Sequence, residues 1–169
     1  MSNADAILVL TTGGTIDKAY FDALSAYQIT DTVIARLLEI ARVNLPFEIL
    51  EIARKDSLEL DDEDRARLVA AARDAPNRRI VVTHGTDTMT RSAAALAEIA
   101  GKTIVLVGAL QPARFSDSDA PFNLGMAFAC CQVAPPGVYI TMNGTVFAAD
   151  QVVKDRELGA FVPKAPAAG

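Results

Sequence analysis

The residues best suited to chemistry stand in short polar segments, each of which follows an apolar run. Thr11-Thr-Gly-Gly-Thr-Ile-Asp17 pairs two glycines with three hydroxyls. Glycine permits positive φ and close backbone approach, so the hydroxyl of Thr15 can be presented at the end of a strand. The segment is neither G-x-G-x-x-G nor a phosphate loop ending in Gly-Lys-Ser/Thr, and on its own it reads equally as an anion-binding turn and as a site of chemistry. His84-Gly-Thr-Asp-Thr-Met89 brings Thr86 and Asp87 together. A helix beginning near Thr88 would hold negative charge at its N-terminus, and Asp87 taken alone reads as its cap. His84 is the sole histidine, so any Ser-His-Asp or Cys-His mechanism must use it, although a hydrogen-bonded structural imidazole is the commoner outcome at a strand end. No His, Cys or acidic cluster has metal-ligand spacing. No metal or cofactor is therefore expected, and the base of an acyl transfer must come from Lys, Tyr or Asp. Lys154, in Val153-Lys-Asp-Arg-Glu157, has by itself the surroundings of a solvated surface lysine.

These segments need elements to position them. Ala6-Ile-Leu-Val-Leu10 reads as a buried strand running into the Gly-Gly turn. From Thr30, a plausible N-cap, the apolar period becomes helical through Val33, Ile34, Leu37, Leu38 and Ala41. A strand over 47–53 precedes a helix capped by Asp61, with Leu68, Val69 and Ala72 on its apolar face. Arg79-Ile-Val-Val-Thr83 is the third strand, followed by a helix over 89–100 that ends at Gly101. Thr103-Ile-Val-Leu-Val107 is the fourth, followed by a polar loop and a helix that Asp119 can cap, running through Phe122, Met126 and Phe128. A fifth strand over 137–142 turns at Asn143-Gly144 into Thr145-Val-Phe-Ala148.

Strands and helices alternating at this spacing predict one α/β domain, a mostly parallel sheet covered by helices on both faces with an antiparallel C-terminal hairpin. Such sheets bind ligands in the crevice beyond the carboxyl ends of their strands. The functional residues are therefore expected in the loops 11–17, 54–60, 84–88 and 108–119. The segment 17–29 carries Tyr20, Phe21 and Tyr27 without clear periodicity, as a lid would. The catalytic domain is expected over 1–162 and a loose tail over 163–169.

The bulk properties agree. A chain of 169 residues, 51% hydrophobic, supports one sizeable core. A formal charge of −5 repels phosphate backbones, so no nucleic-acid partner is expected. Cys130 and Cys131 are neighbours, which rarely suits a mutual disulfide, and a reducing cytoplasm is the expected location. Asp5 stands where a signal peptide would carry positive charge, and no run approaches a membrane span.

Thr12-Gly-Gly-Thr-Ile16 and Val82-Thr-His-Gly-Thr-Asp-Thr-Met89 together resemble the paired signature segments of the bacterial-type L-asparaginase family. The similarity continues, in order, through Gly108-Ala109, Pro112, Asp119-Ala-Pro-Phe-Asn-Leu124, Gly137-Val-Tyr-Ile-Thr-Met-Asn143 and the segment carrying Lys154. The resemblance implies the fold of the asparaginase N-terminal domain and hydrolysis of the side-chain amide of L-asparagine to aspartate and ammonia. It makes Thr15 the nucleophile that becomes acylated and Tyr27 the lid tyrosine that hydrogen-bonds it. Thr86, Asp87 and Lys154 become the second catalytic group, with Asp87 also receiving the substrate α-amino group. Gly14, Ser57, Thr86, Asp87 and Ala109 are implied to bind substrate, Ser57 at the α-carboxylate and Ala109 through its backbone in the amide pocket.

The roles make chemical sense, because a threonine hydroxyl needs a neighbouring base or hydrogen-bond chain to become a nucleophile. Backbone N–H groups of the two Gly/Thr loops could receive the oxyanion. Most family members carry a C-terminal domain through which a neighbouring protomer completes the site, whereas this chain stops soon after Lys154. The expectation is a short single-domain member, assembled as a homodimer or homotetramer that buries apolar surface such as Phe147 and Phe161. Leu58 stands where many relatives have a polar residue that contacts substrate. Two other readings use the same residues: the ammonia-releasing component of a tRNA-dependent amidotransferase, and an amino-acid sensor without turnover.

Overall fold

The computed structural model describes residues 3–22 and 25–165. Its first strand, β1 (Ile7–Gly13), is followed by a short hairpin of β2 (Lys18–Phe21) and β3 (Ala26–Ile29), then by helix α1 (Ile34–Ile40). Strand β4 (Phe47–Lys55), helix α2 (Asp62–Asp74), β5 (Arg79–Thr83), helix α3 (Met89–Leu96), β6 (Thr103–Val107), helix α4 (Ala120–Val133) and β7 (Gly137–Met142) complete the alternation. The chain then turns back into β8 (Thr145–Ala148) and ends in a hairpin of β9 (Val152–Asp155) and β10 (Ala160–Pro163).

The main sheet has the order β4-β1-β5-β6-β7-β8. All of its pairs are parallel except β7 with β8. Period-2 alternation divides the core. Ile7, Val9, Val81, Val105 and Val107 face Ile34, Leu38, Leu124 and Phe128 of α1 and α4. Leu8, Leu10, Ile80, Val82, Ile104 and Leu106 face Leu68, Ala72, Met89 and Leu96 of α2 and α3. Both faces are thus covered, as continuous apolar strands require. The strand order reverses at β1, between β4 and β5, and this switch point is where such sheets hold ligands.

Several local signals worked as read. Asp61 caps α2 through a reciprocal capping box with Asp64. Asn143 and Gly144 both have positive φ, as the primed turn between β7 and β8 needs. Other expectations need correction. Thr30 does not cap α1, which follows Val33; its hydroxyl instead donates to the Asp17 carbonyl at 3.0 Å. Asp119 makes no cap hydrogen bond, because its carboxylate turns back to the amides of Leu110 and Gln111, each 3.0 Å away. Helix α3 ends at Leu96, ahead of the expected 100. Within the aperiodic segment, Lys18–Phe21 and Ala26–Ile29 pair as a two-stranded ribbon in which Tyr20 lies opposite Tyr27. Phe147 and Phe161, expected to face a partner, pack against the second core cluster of their own chain. Of the expected tail, Pro163 pairs with Val152, the Lys164 amide donates to the Gln151 carbonyl at 2.9 Å, and residues 166–169 lie outside the described residues. Among the described residues no helix is long and apolar enough to cross a membrane.

Candidate active site

Glycine lets the loops at the carboxyl ends of the strands interlock. Gly13 and Gly14 have φ of 96° and 86°. A Cβ on Gly13 would lie 2.6 Å from the Lys55 carbonyl oxygen, and one on Gly14 2.5 Å from the Cα of Gly85. Side chains there would push the β1, β4 and β5 loops apart. The Gly14 amide already donates to the Lys55 carbonyl at 3.0 Å, so it is spent on holding the loop and is no free oxyanion donor.

Beyond β5, the structure joins Thr86, Asp87 and Lys154 directly. Lys154 Nζ donates to Thr86 Oγ1 at 2.7 Å and to Asp87 Oδ1 at 2.5 Å. Lys154 is not a solvated surface residue: its side chain is 15% exposed and that of Asp87 38%. It reaches the site because β9 pairs with β10, Lys154 opposite Phe161, and is anchored by buried Val152. With Lys154 on one lone pair, the Thr86 hydroxyl keeps its own proton to donate elsewhere. The hydroxyl is thereby oriented and polarised.

His84 lies outside this group. It is 0% exposed, its Nδ1 is 2.7 Å from the Gly85 carbonyl oxygen and its Nε2 2.7 Å from Ser92 Oγ. A carbonyl only accepts, so Nδ1 carries the proton and Nε2 accepts from the serine. Burial lowers its pKa to about 4 against the opposing pull of the Gly85 carbonyl, and the charge of Arg65 lowers it further. The imidazole is a neutral structural group. Cys130 and Cys131 are buried free thiols, and burial pushes Cys131 up to about 12, so neither is an activated nucleophile. Among the described residues no group of three or more His, Cys, Asp or Glu could hold a metal ion.

Thr15 opens a single 3-10 turn, Thr15–Asp17, just beyond β1. With Tyr27, Lys18 and Phe115 it lines a cavity of about 270 Å³. Tyr27 is half-exposed, its ring 5.2 Å from that of Tyr20 and 6.1 Å from that of Phe115. A larger cavity of about 590 Å³ is walled by Tyr27, Lys18, Asp56, Leu58 and Asp87. Leu58 and Asp87 continue into a third cavity of about 380 Å³ with Lys154 and Leu110. The structure therefore gathers Thr15 with Tyr27, and Tyr27 with Asp87, on shared walls. Among the described residues no hydrogen bond joins Thr15 to Tyr27 or Thr86.

Ser57 and Ala109 sit deeper than a surface contact would. Each is 1% exposed. A Cβ on Gly85 would fall 2.8 Å from Ser57 Oγ, and the Ser57 carbonyl accepts from Thr88 Oγ1 at 2.7 Å. Ala109 lies behind a loop fixed by Asp119, which also accepts from Asn123 and Asn143 at 2.8 and 3.0 Å. Burial acts to raise the Asp119 carboxyl, but the amides of Leu110 and Gln111 with the two asparagines outweigh it and hold it below the usual range. Sequence reasoning missed Lys18, although its place three residues after Thr15 on a tight turn was a usable signal.

The family model for "Asparaginase, N-terminal" matches residues 6–163. This chain belongs to the asparaginase family. It is 32% identical over 163 residues to the L-asparaginase of Thermococcus kodakarensis, covering 90% of this chain and 48% of that protein. It is 33% identical over 150 residues to a component of the glutamyl-tRNA(Gln) amidotransferase of Pyrococcus abyssi, covering 82% of this chain and 33% of that protein. The structure of the "Probable Cytoplasmic L-asparaginase from Campylobacter jejuni" superposes with a TM-score of 0.81 at 30% identity, over 94% of this chain and 53% of that one. The chain spans about half the length of the L-asparaginases it matches. The mostly parallel sheet with its antiparallel final strand is the one the alternation predicted, and the asparaginase fold is the one the resemblance implied.

Proposed function

We propose that this asparaginase-family chain hydrolyses the side-chain amide of L-asparagine to L-aspartate and ammonia through an acyl ester on Thr15. The observation that carries the reading is the Thr86–Lys154–Asp87 group, hydrogen-bonded at 2.7 and 2.5 Å, where Asp87 shares a cavity wall with Tyr27. Thr15 Oγ1 bonds to the amide carbon, its proton passes to the nitrogen with the Tyr27 phenol as relay, and ammonia leaves as the C–N bond breaks. Water then attacks the ester; one of its protons returns to Thr15 Oγ1 and aspartate is released. Thr86, polarised by Lys154, orients that water or steadies the oxyanion. Asp87 takes the α-ammonium, while the Gly14, Ser57 and Ala109 segments shape the pocket.

Thr15 is preferred over Thr86 as nucleophile because it follows Gly13-Gly14 and opens onto the cavity beside Tyr27. Thr86 is 8% exposed and already engaged by Lys154. Asparagine is the preferred amide over glutamine, since one methylene is rejected by about 1–3 kcal/mol in a close fit. The similarity to an amidotransferase component favours a second reading, ammonia release on behalf of a tRNA-dependent enzyme. The charge of −5 weighs against a tRNA partner. Free thiols at Cys130 and Cys131 support a cytoplasmic location. Exposed Phe122 and Val133 on α4 support a homodimer or homotetramer.

The test is ammonia release from asparagine and glutamine by the full chain, followed by mass spectrometry after trapping with a reactive asparagine analogue. Release from asparagine with the label on Thr15 is expected. A label on Thr86 with Thr15 unmodified overturns the assignment, and no release from either amide overturns the function.

A further inference from the structure

We infer that Lys18 is the cationic contact for the α-carboxylate of the substrate, and so sets the preference for an amino-acid amide over a simple amide. The inference rests on the amide hydrolysis proposed above and adds to it a residue that the resemblance does not supply.

Position comes first. Residues three apart eclipse on a 3-10 turn, and the Lys18 amide closes the turn by donating to the Thr15 carbonyl. The Lys18 side chain therefore rises on the same side as Thr15. Both line the smaller cavity, and Lys18 with Tyr27 passes into the wall of the larger one, where Asp56 and Asp87 stand. Lys18 thus marks the junction between the nucleophile and the anionic end of the site.

Charge decides the role. A zwitterionic amino acid needs an acceptor for its ammonium, the part proposed for Asp87, and donors for its carboxylate, which a cation strengthens. Lys154 is pinned between Thr86 and Asp87. Arg54, the other cation on the larger cavity, pairs with Asp31 at 2.6 Å and Glu51 at 3.0 Å. Lys18 has Asp56 at 2.9 Å, and its side chain is 27% exposed. An ammonium carries three donors, so a second carboxylate can be accepted beside Asp56. Asp56 immobilises the ammonium next to Ser57, so the two can meet one carboxylate together.

The experiment uses the full chain and its Lys18→Met, Lys18→Arg and Asp56→Asn variants. Calorimetry compares binding of L-aspartate with that of 3-aminopropanoate, which is aspartate without its α-carboxylate. Ammonia release gives KM and kcat for asparagine. Lys18→Met is expected to narrow the preference for aspartate by about 10-fold or more, with KM rising far more than kcat falls. Lys18→Arg should restore most of the preference. Asp56→Asn, which removes the tether and leaves the cation, should not reproduce the loss. If Lys18→Met and Asp56→Asn weaken both ligands alike, Lys18 is a brace between the hairpin and the Ser57 loop, and the inference is overturned. Unchanged aspartate binding in Lys18→Met overturns it while the proposed hydrolysis stands. A wild-type chain that neither binds aspartate nor hydrolyses asparagine overturns both.

Discussion

Lowering the pH from 8 toward 5 should destabilise this protein, with His84 as a main contributor. The imidazole is fully buried and neutral, with a pKa of about 4 against 6.5 for an ordinary histidine. A depressed folded-state pKa means that the unfolded chain binds the proton first. The stability it confers is therefore complete above the unfolded value and is lost as pH falls through 6.5 toward 4. Linkage over that window amounts to about 2 kcal/mol between pH 8 and pH 5, and to about 3 kcal/mol once both states are protonated. With an m-value of about 2 kcal/mol/M, the first figure moves a urea midpoint by about 1 M. His84 is the only histidine, so no second imidazole blurs the measurement. The assay is urea unfolding of wild type and His84→Gln at pH 8, 6 and 5. The variant should be less stable at pH 8, having lost fitted partners at Gly85 and Ser92, but it should lose about 2 kcal/mol less on acidification. Parallel pH profiles for the two proteins would refute the reasoning, because the carboxylates they share would then account for the whole acid loss.

Two further outcomes follow from the loop packing and the hairpin. Gly85→Ala would set a Cβ 2.7 Å from that of buried Ser57, and overpacking of this kind should cost about 1–3 kcal/mol, read from the urea midpoint; an unchanged midpoint would show that the Ser57 loop yields freely. The β2–β3 hairpin, which presents Tyr27 to both cavities, should gain hydrogen-exchange protection when aspartate binds, whereas equal protection with and without aspartate speaks against a closing lid.

The sequence by itself determined what depends on near neighbours. Apolar runs such as Ala6–Leu10 and Thr103–Val107 read as buried strands, and their alternation with helices made a parallel sheet covered on both faces the consistent arrangement. Asp61 with Asp64, and Asn143 with Gly144, specify a helix start and a tight turn within a few residues. The loops at the strand ends were legible as the place for chemistry, because the topology of such a sheet fixes where its crevice lies.

The resemblance already grouped Thr86, Asp87 and Lys154, but the contacts that join them, and the fates of their neighbours, were decided by the tertiary structure. Lys154 reaches Thr86 and Asp87 across 68 and 67 residues of chain, through a β9–β10 hairpin with no periodic signal of its own. Thr30 and Asp119 have the composition of helix caps, yet their side chains are engaged elsewhere, at Asp17 and at the 110–111 amides. His84 stood in the most suggestive loop and was withdrawn from chemistry by burial, and Lys18, unremarked in the sequence, was placed at the cavity junction by its pairing with Asp56. Caps, strands and turns are specified by contacts a few residues apart, whereas burial and charge pairing depend on which distant segments the fold brings together.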